Sequence, residues 1–339
     1  MILYIYDIKI KKKEDDVMSK LNLRPKLFFM IGLPASGKSY HSQEIAKTHN
    51  AIIVSSDSIR EEVLGDINDQ SNQWYVFQIV HDRIKSNLLN GNNVVYDATN
   101  ISSKRRMEFL RQINNIDCEK IAVLILTPYD KCLEQNKNRD RNVPVDVIKR
   151  MYLNFDVPYY FEGWDKIDIK YEINDLKKYS IDKIFERLDI INQDSPYHTL
   201  TVGQHCRKAK DYIIQKHGVN YDVVFATFLH DIGKEFTKTF INHKGETTDI
   251  AHFYNHENVS AYDGILIFLE MISKLIPEYD YENYQNNILQ ILHISQLIKF
   301  HMRLHNTNTE KSKQKLINLV GEDFYNELMM VHEADKYAH

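Results

Sequence analysis

The stretch Leu27-Phe-Phe-Met-Ile-Gly32 runs directly into Leu33-Pro34-Ala35-Ser36-Gly37-Lys38-Ser39 and then into YHSQEIAKTH, residues 40–49. A short apolar run, a glycine-bearing turn and a polar-apolar mixed stretch predict a buried strand, a tight loop and a helix. The spacing Gly32-x4-Gly37-Lys38-Ser39 is that of a phosphate-binding loop. Gly32, Pro34, Ala35, Ser36 and Gly37 are the candidates to wrap phosphate oxygens at a helix N-terminus. Lys38 is expected to reach the β- and γ-phosphates of ATP, and Ser39 to hold Mg2+. A chance match in a glycine-rich turn is the competing reading. The strand before it and the helix behind it argue against that.

Outward from the loop, the same alternation repeats. AIIVSSD (51–57), NNVVYDATN (92–100) and KIAVLILT (120–127) read as further strands, and the stretch around 71–90 as a long helix. Strands alternating with helices predict an α/β unit with a parallel sheet, its site at the C-terminal ends of the strands. Asp57 falls at such an end and is placed as a general base toward an acceptor hydroxyl. Arg60 follows it on the same helical face. Taken alone, that pair also reads as a helix cap with a surface arginine. Asp97-Ala-Thr99-Asn100 ends the next strand. Lys104-Arg105-Arg106 after it reads as a solvated helix face or as a binder of the acceptor's phosphate. Asn136-Lys-Asn-Arg139-Asp-Arg141 lies where a lid would clamp ATP.

The chain has 339 residues, enough for about two domains. The boundaries expected are a lead segment over 1–25, a phosphate-loop domain over 26–178, a linker over 179–195 and an all-α domain over 196–339. The net charge of −4 argues against a protein that coats nucleic acid, but leaves room for a local basic pocket. Cys118, Cys132 and Cys206 lack CxxC spacing and read as free thiols of a reducing compartment. No apolar run reaches the roughly 18–20 residues of a membrane span. The apolar-then-charged N-terminus has the wrong order for a signal peptide. The expectation is a cytoplasmic protein without a membrane partner.

The count of 15 His is high. In the C-terminal part they recur as His205, then His230-Asp231 in FATFLHDIGK, then His256 and His301, with Asp335 near the end. A vicinal His-Asp at a helix end, joined by His205 and Asp335, can complete one cation's shell. Asp231 can bridge to a second cation held by His256 and His301. Nitrogen and oxygen donors suit Mn2+, Ni2+, Co2+, Fe2+ or Zn2+ rather than Ca2+. Lys234 stands one turn on, where it can neutralise a phosphate oxygen. Each His taken alone reads as a satisfied core or surface residue; their order on predicted helices lifts the set. His198, His252 and His305 read as supporting or structural. Cys206 reads as packing. The 21 Tyr read first as ordinary core and surface residues, and only second as base-stacking platforms.

The N-terminal pieces, with VP-x-x-VI and EGWDKI, resemble the 5′-hydroxyl polynucleotide kinase branch of P-loop kinases over about 27–172. That resemblance implies Asp57 as catalytic base, Arg60 in contact with the acceptor and Asp97 lining the acceptor site. It also implies Arg139, in the lid segment with Asn136, as an ATP-phosphate ligand. The family's first lid arginine is Gln135 here, and Arg141 is the candidate to compensate. The order HDIGK, NHENVSAYD, HEADKYAH resembles the HD phosphohydrolase superfamily over about 196–339. This implies His205, His230, Asp231 and Asp335 as metal ligands, with Lys234, His256 and His301 serving a second metal or the scissile phosphate. Where that family often has an arginine one turn after the last Asp, this chain has His339.

Together the resemblances imply a bifunctional enzyme that heals RNA or DNA strand ends. An ATP- and Mg2+-dependent 5′-OH kinase would be joined to a 2′,3′-phosphatase or cyclic phosphodiesterase, with a ligase acting downstream. The two domains stand in the reverse of the order of the fusion they resemble. The alternatives are a small-molecule or nucleoside kinase fused to a nucleotide phosphohydrolase, or a nucleotide-sensing binder. A homo-oligomer is compatible with the sequence.

Overall fold

The computed structural model describes residues 24–339 other than 140, 197, 276–280 and 308; side chains at 173, 275, 281–286 and 306 are also left undescribed. The strand and charge run expected before residue 24 lie outside the described residues.

Five strands form one fully parallel sheet: β1 (Lys26–Ile31), β2 (Ala51–Ser55), β3 (Asn93–Asp97), β4 (Glu119–Ile125) and β5 (Lys166–Lys170), in the order β2-β3-β1-β4-β5. β1 pairs with β3 on one side and β4 on the other, so it is central and shielded on both faces. Its sequence KLFFMI obeys that placement: every residue after Lys26 is buried. Leu27, Phe29 and Ile31 enter one core and Phe28 and Met30 the other, as a period of two requires. The helices α1 (Lys38–His49), α2 (Ser56–Leu64), α3 (Gln73–Leu89), α4 (Ser103–Gln112), α5 (Tyr129–Lys137) and α6 (Val145–Leu153) make the crossovers.

The C-terminal region is helical: α7 (Ile181–Leu188), α8 (Val202–His217), α9 (Tyr221–Leu229), the single turn α10 (Lys234–Thr237), α11 (His256–Leu275), α12 (Tyr281–Phe300), α13 (Glu310–Val320) and α14 (Glu322–Tyr337). It is not purely α, as the sequence reading expected. An antiparallel hairpin, β6 (Lys238–Ile241) with β7 (Thr247–Phe253), interrupts it. Asn242 turns the hairpin by accepting from the backbone N–H groups of Lys244 and Glu246. Gly245, at φ 83°, takes the left-handed position. Both strands are mostly solvent-facing, so no apolar alternation marked them. The stretch expected as a linker carries α7, whose Ile184, Phe185 and Leu188 are buried. Phe185 stacks on Phe228 at 4.1 Å.

One contiguous core runs from the sheet into the helical lobe. At the seam the rings of Tyr129, Tyr152, Phe236 and Tyr262 pack at 4.8–5.5 Å. Asn258 donates to the Leu153 carbonyl at 2.7 Å, and Lys299 pairs with Asp156 at 2.9 Å. Asp263 lies at the same seam with Oδ1 buried and unpartnered. Burial pushes its carboxyl up to about 7, against the opposing hydrogen bond from Tyr152. The folded chain therefore keeps a proton that the unfolded chain releases near the ordinary value of 3.8. The associated stability is present below that value, declines as pH rises and is lost once pH passes about 7. Asp263→Asn is expected to raise the unfolding free energy at pH 8 by on the order of 2–4 kcal/mol, and the melting point with it, and to leave both nearly unchanged near pH 4. Thermal melts of both proteins across that range check it.

Candidate active sites

The phosphate loop leaves β1 at the sheet's central strand, where open α/β sheets place their ligands. Ala35 (φ 59°) and Gly37 (φ 91°) both take left-handed backbone, which curls the loop before α1 begins at Lys38. Gly32 is required for space. A Cβ there would lie 2.8 Å from Ser36 Oγ and 3.1 Å from the Ile125 carbonyl. The Ser36 hydroxyl is buried with no partner. Lys38, 8% exposed, donates to the Leu33 carbonyl at 2.6 Å. Its pKa is lowered by burial to about 8, with Asp97 and Asp57 opposing the shift and Arg139 adding to it. A buried cation over a curled loop with an orphaned hydroxyl suits a polyphosphate.

Asp97 ends β3 beside the loop. The sequence reading gave it to the acceptor. The structure sets it against the Ser39 hydroxyl and the Lys38 charge, while burial raises its own pKa. That is the place of a carboxylate supporting the Mg2+ that Ser39 would hold. This follows from β3 being the immediate neighbour of β1, whereas Asp57 opens the helix that follows β2, one strand further out.

Ser55 caps α2, accepting from the Ser58 N–H, and Asp57 sits in the first helical turn. Arg60 is buried one turn on; its Nη1 lies 2.7 Å from Asp57 Oδ1, and its Nε is buried without a partner. Arg141 meets the other oxygen, Asp57 Oδ2, at 2.8 Å and also donates to Asn68 Oδ1 and the Ile67 carbonyl. Asp57 thus lies between two arginines from different segments. Arg139 is exposed, and Lys38 feels its charge. Asn136, read with the lid, is a buried strut whose side chain exchanges two hydrogen bonds with the Val143 backbone.

Arg106 is neither solvated nor a phosphate binder. It is 1% exposed and holds Glu162 at 2.7 and 2.6 Å while donating to the Asn100 and Val157 carbonyls. Trp164 donates to the same Glu162 at 3.0 Å. A charge run on a helix gave no sign that its third member points inward to a carboxylate 56 residues away.

In the helical lobe the histidines converge. His205 comes from the first turns of α8, His230-Asp231 from the end of α9, His256 from the start of α11, His301 from just past α12 and Asp335 from α14. Gly233 permits this. A Cβ on it would meet the His256 carbonyl at 2.3 Å and the Ser260 N at 2.8 Å, so only glycine lets α11 approach α9's end so closely. His205, His230, Asp231 and Asp335 bring donor atoms within 4.8 Å of one another, and Asp231, His256 and His301 do the same. Asp231 divides its carboxylate. Oδ2 lies 3.3 Å from Nε2 of both His205 and His230, and Oδ1 lies 3.1 Å from His256 Nε2 and 3.8 Å from His301 Nε2.

The ring nitrogens on the far side explain what this arrangement wants. Nδ1 of His230, His256 and His301 faces a backbone carbonyl at 2.6–2.7 Å, from Thr227, Phe253 and Ile298 respectively. His205 Nδ1 faces the Ala338 carbonyl at 3.4 Å. Carbonyls accept only, so each Nδ1 is oriented as the donor toward its carbonyl and Nε2 is the ring atom turned into the cluster. Yet His205 and His230 point Nε2 at each other at 3.1 Å, and His256 and His301 at 3.2 Å. Facing ring nitrogens need a proton or a cation between them. Without a metal, Asp231 and Asp335 hold His230 well above its ordinary pKa despite its burial, and a divalent cation would take that proton's place. The donor set therefore fits two divalent cations bridged by Asp231. Burial pushes His301 down to about 3, which keeps it a neutral donor. Asp335 stays well below the usual carboxylate range despite its burial, because His205, His230 and His305 hydrogen-bond it.

Lys234 is buried and reaches Asp231 Oδ2 at 2.6 Å and Gln193 Oε1 at 2.8 Å. Gln193, 1% exposed, lies in the stretch read as linker, and no sequence signal singled it out. His339 stands at the rim: its ring packs on His198 at 4.3 Å, and its Nε2 is 4.0 Å from Asp335 Oδ1. His252 bonds Thr248 on the hairpin. Cys206 is fully buried packing.

The parallel sheet flanked by helices, with Lys38 and Ser39 closing a curled loop, fits a P-loop kinase. Residues 27–158 match the sequence model of a family described as AAA domain. The chain is 27% identical over 173 residues to the L-seryl-tRNA(Sec) kinase of Methanococcus maripaludis, covering 50% of this chain and 66% of that protein. Among solved structures, a chain of the Pnkp1/Rnl/Hen1 RNA repair complex aligns at 21% identity and TM-score 0.36, over 39% of this chain and 44% of that one. A putative kinase from Chloroflexus aurantiacus aligns at 17% identity and TM-score 0.37, over 43% and 84%. The chain thus spans just under two thirds of the curated relative and less than half of the RNA-repair chain. Among the described residues no helix is long and apolar enough to cross a membrane.

Proposed function

We propose that the chain is a bifunctional nucleic-acid end-healing enzyme, with an ATP-dependent 5′-OH kinase in the α/β lobe and a metal-dependent phosphohydrolase of HD type in the helical lobe. The observation that carries the kinase half is Asp57, a strand-end carboxylate gripped by Arg60 and Arg141 beside the Lys38 loop. In this reading the loop and Lys38 hold the ATP phosphates, and Ser39 with Asp97 holds Mg2+. Asp57 takes the proton from the acceptor hydroxyl as that oxygen attacks the γ-phosphorus. Both carboxylate oxygens of Asp57 are engaged by guanidinium groups, so in this reading Arg141 turns from Asp57 to the phosphates when ATP binds and frees one oxygen for the acceptor hydroxyl. Arg141→Ala is then expected to lower the transfer rate by about 10- to 1000-fold, although it removes a partner from the base. A rate measured with labelled ATP checks this; an increase would show that Arg141 merely inhibits Asp57.

The helical lobe's half rests on the two facing imidazole pairs. A divalent cation held there would supply a hydroxide nucleophile near neutral pH. The chain's own contribution is to orient the rings through carbonyls and to place Lys234 where a phosphate oxygen would arrive. The substrates in this reading are 2′,3′-cyclic, 2′- or 3′-phosphate ends, and a ligase is the natural consumer of the product.

A second reading has support in one observation. The curated relative is a kinase of a seryl-tRNA, so the acceptor hydroxyl of this chain can belong to another class than a 5′ end. The deciding experiment offers labelled ATP with a 5′-OH oligonucleotide, an aminoacyl-tRNA, nucleosides and sugars. Transfer to the oligonucleotide supports the first reading. Transfer confined to any other acceptor overturns it.

A further inference from the structure

We propose that His305, His332 and Asp335 form a third divalent-cation site, closer to solvent than the two inner ones and joined to them through Asp335. The proposal rests on the reading of the inner cluster as a metal centre, because it shares a ligand with it. Asp335 splits its carboxylate as Asp231 does. Oδ1 lies 3.1 Å from His205 Nε2 and 3.5 Å from His230 Nε2, whereas Oδ2 faces the other way, 3.1 Å from His305 Nε2. A ring nitrogen of His305, one of His332 and a carboxylate oxygen of Asp335 lie within 4.8 Å of one another. The two rings sit 4.6 Å apart at 80°.

The residues arrive there for simple reasons. His332 precedes Asp335 by three positions on α14, so both share a helical face. His305 follows His301 by four within the 3-10 turn His301–Asn306, so one segment serves an inner site and the outer one. His332 Nδ1 is buried without any hydrogen-bond partner, a state that is destabilising if nothing fills it. Two imidazoles and one carboxylate suit Zn2+, Co2+, Mn2+ or Fe2+. His305 is exposed, so the remaining positions are open to water or to an incoming phosphate oxygen.

The competing account is that His305 only orients Asp335 by a hydrogen bond and that His332 has no role. The two separate by metal content. The full chain is stripped with chelator, reloaded with excess Co2+ and desalted; bound cobalt is then counted by elemental analysis and followed by its visible absorption. The wild-type chain is expected to retain three ions, and His305→Ala or His332→Ala one fewer, with the inner-site absorption unchanged. His305 is exposed, so its variant keeps the fold and decides the matter if His332→Ala does not fold. Two ions in the wild type, or an undiminished count in His305→Ala, would overturn the third site while leaving the inner reading intact. No cobalt in the wild-type chain would overturn both.

Discussion

Asp231→Asn is expected to abolish hydrolysis in the helical lobe, by about 1000-fold or more, and to strip metal from both inner sites at once. The size follows from geometry. One carboxylate oxygen faces the His205–His230 pair and the other faces the His256–His301 pair. An amide cannot give two anionic oxygens, so each pair of facing ring nitrogens loses the negative charge that offsets a dication. Single-histidine variants should be milder, since each leaves one site whole. The fold should survive, because the amide keeps the volume and Lys234 retains Gln193 as an acceptor. Metal analysis and phosphate release from a cyclic-phosphate oligonucleotide check both parts. Full metal content in Asp231→Asn would mean that the carboxylate bridges nothing.

The second large effect is expected at the other centre. Lys38→Ala should reduce phosphoryl transfer by about 1000-fold or more while leaving hydrolysis in the helical lobe untouched. It should also leave the melting point nearly unchanged. Lys38 is buried, and its lowered pKa reports that burial disfavours its charge in the absence of a ligand. Removing it relieves that cost and forfeits one hydrogen bond to the Leu33 carbonyl, so the two changes offset. A transfer assay beside a thermal melt separates this from general damage. Loss of both activities would contradict two independent centres.

The physical reasons for what the sequence could and could not reveal differ by residue. The phosphate loop was legible because its chemistry is local: strand, curl, lysine and helix are consecutive. The helical cluster was legible because His230-Asp231 is vicinal and Gly233 fixes how the next helix meets it. That Asp97 lies against Ser39 and Lys38 was not legible, because it depends on strand order, which adjacency in sequence does not report. Arg106, Gln193 and His332 were invisible for a shared reason. Each is a polar residue whose meaning comes from a partner on another segment: Glu162, Lys234 and, for His332, His305. The hairpin β6–β7 escaped because a solvent-facing ribbon carries no apolar period.

The central claim is that one chain converts both kinds of broken strand end through two separate centres. The most direct measurement is one incubation of an RNA bearing a 5′-OH and a 2′,3′-cyclic phosphate with γ-labelled ATP, Mg2+ and Mn2+, with both ends of the product analysed. The account predicts label at the 5′ end and loss of the cyclic phosphate at the other, the first abolished by Lys38→Ala and the second by Asp231→Asn. An RNA unchanged at both ends, with label passing instead to a small hydroxyl acceptor, would contradict it.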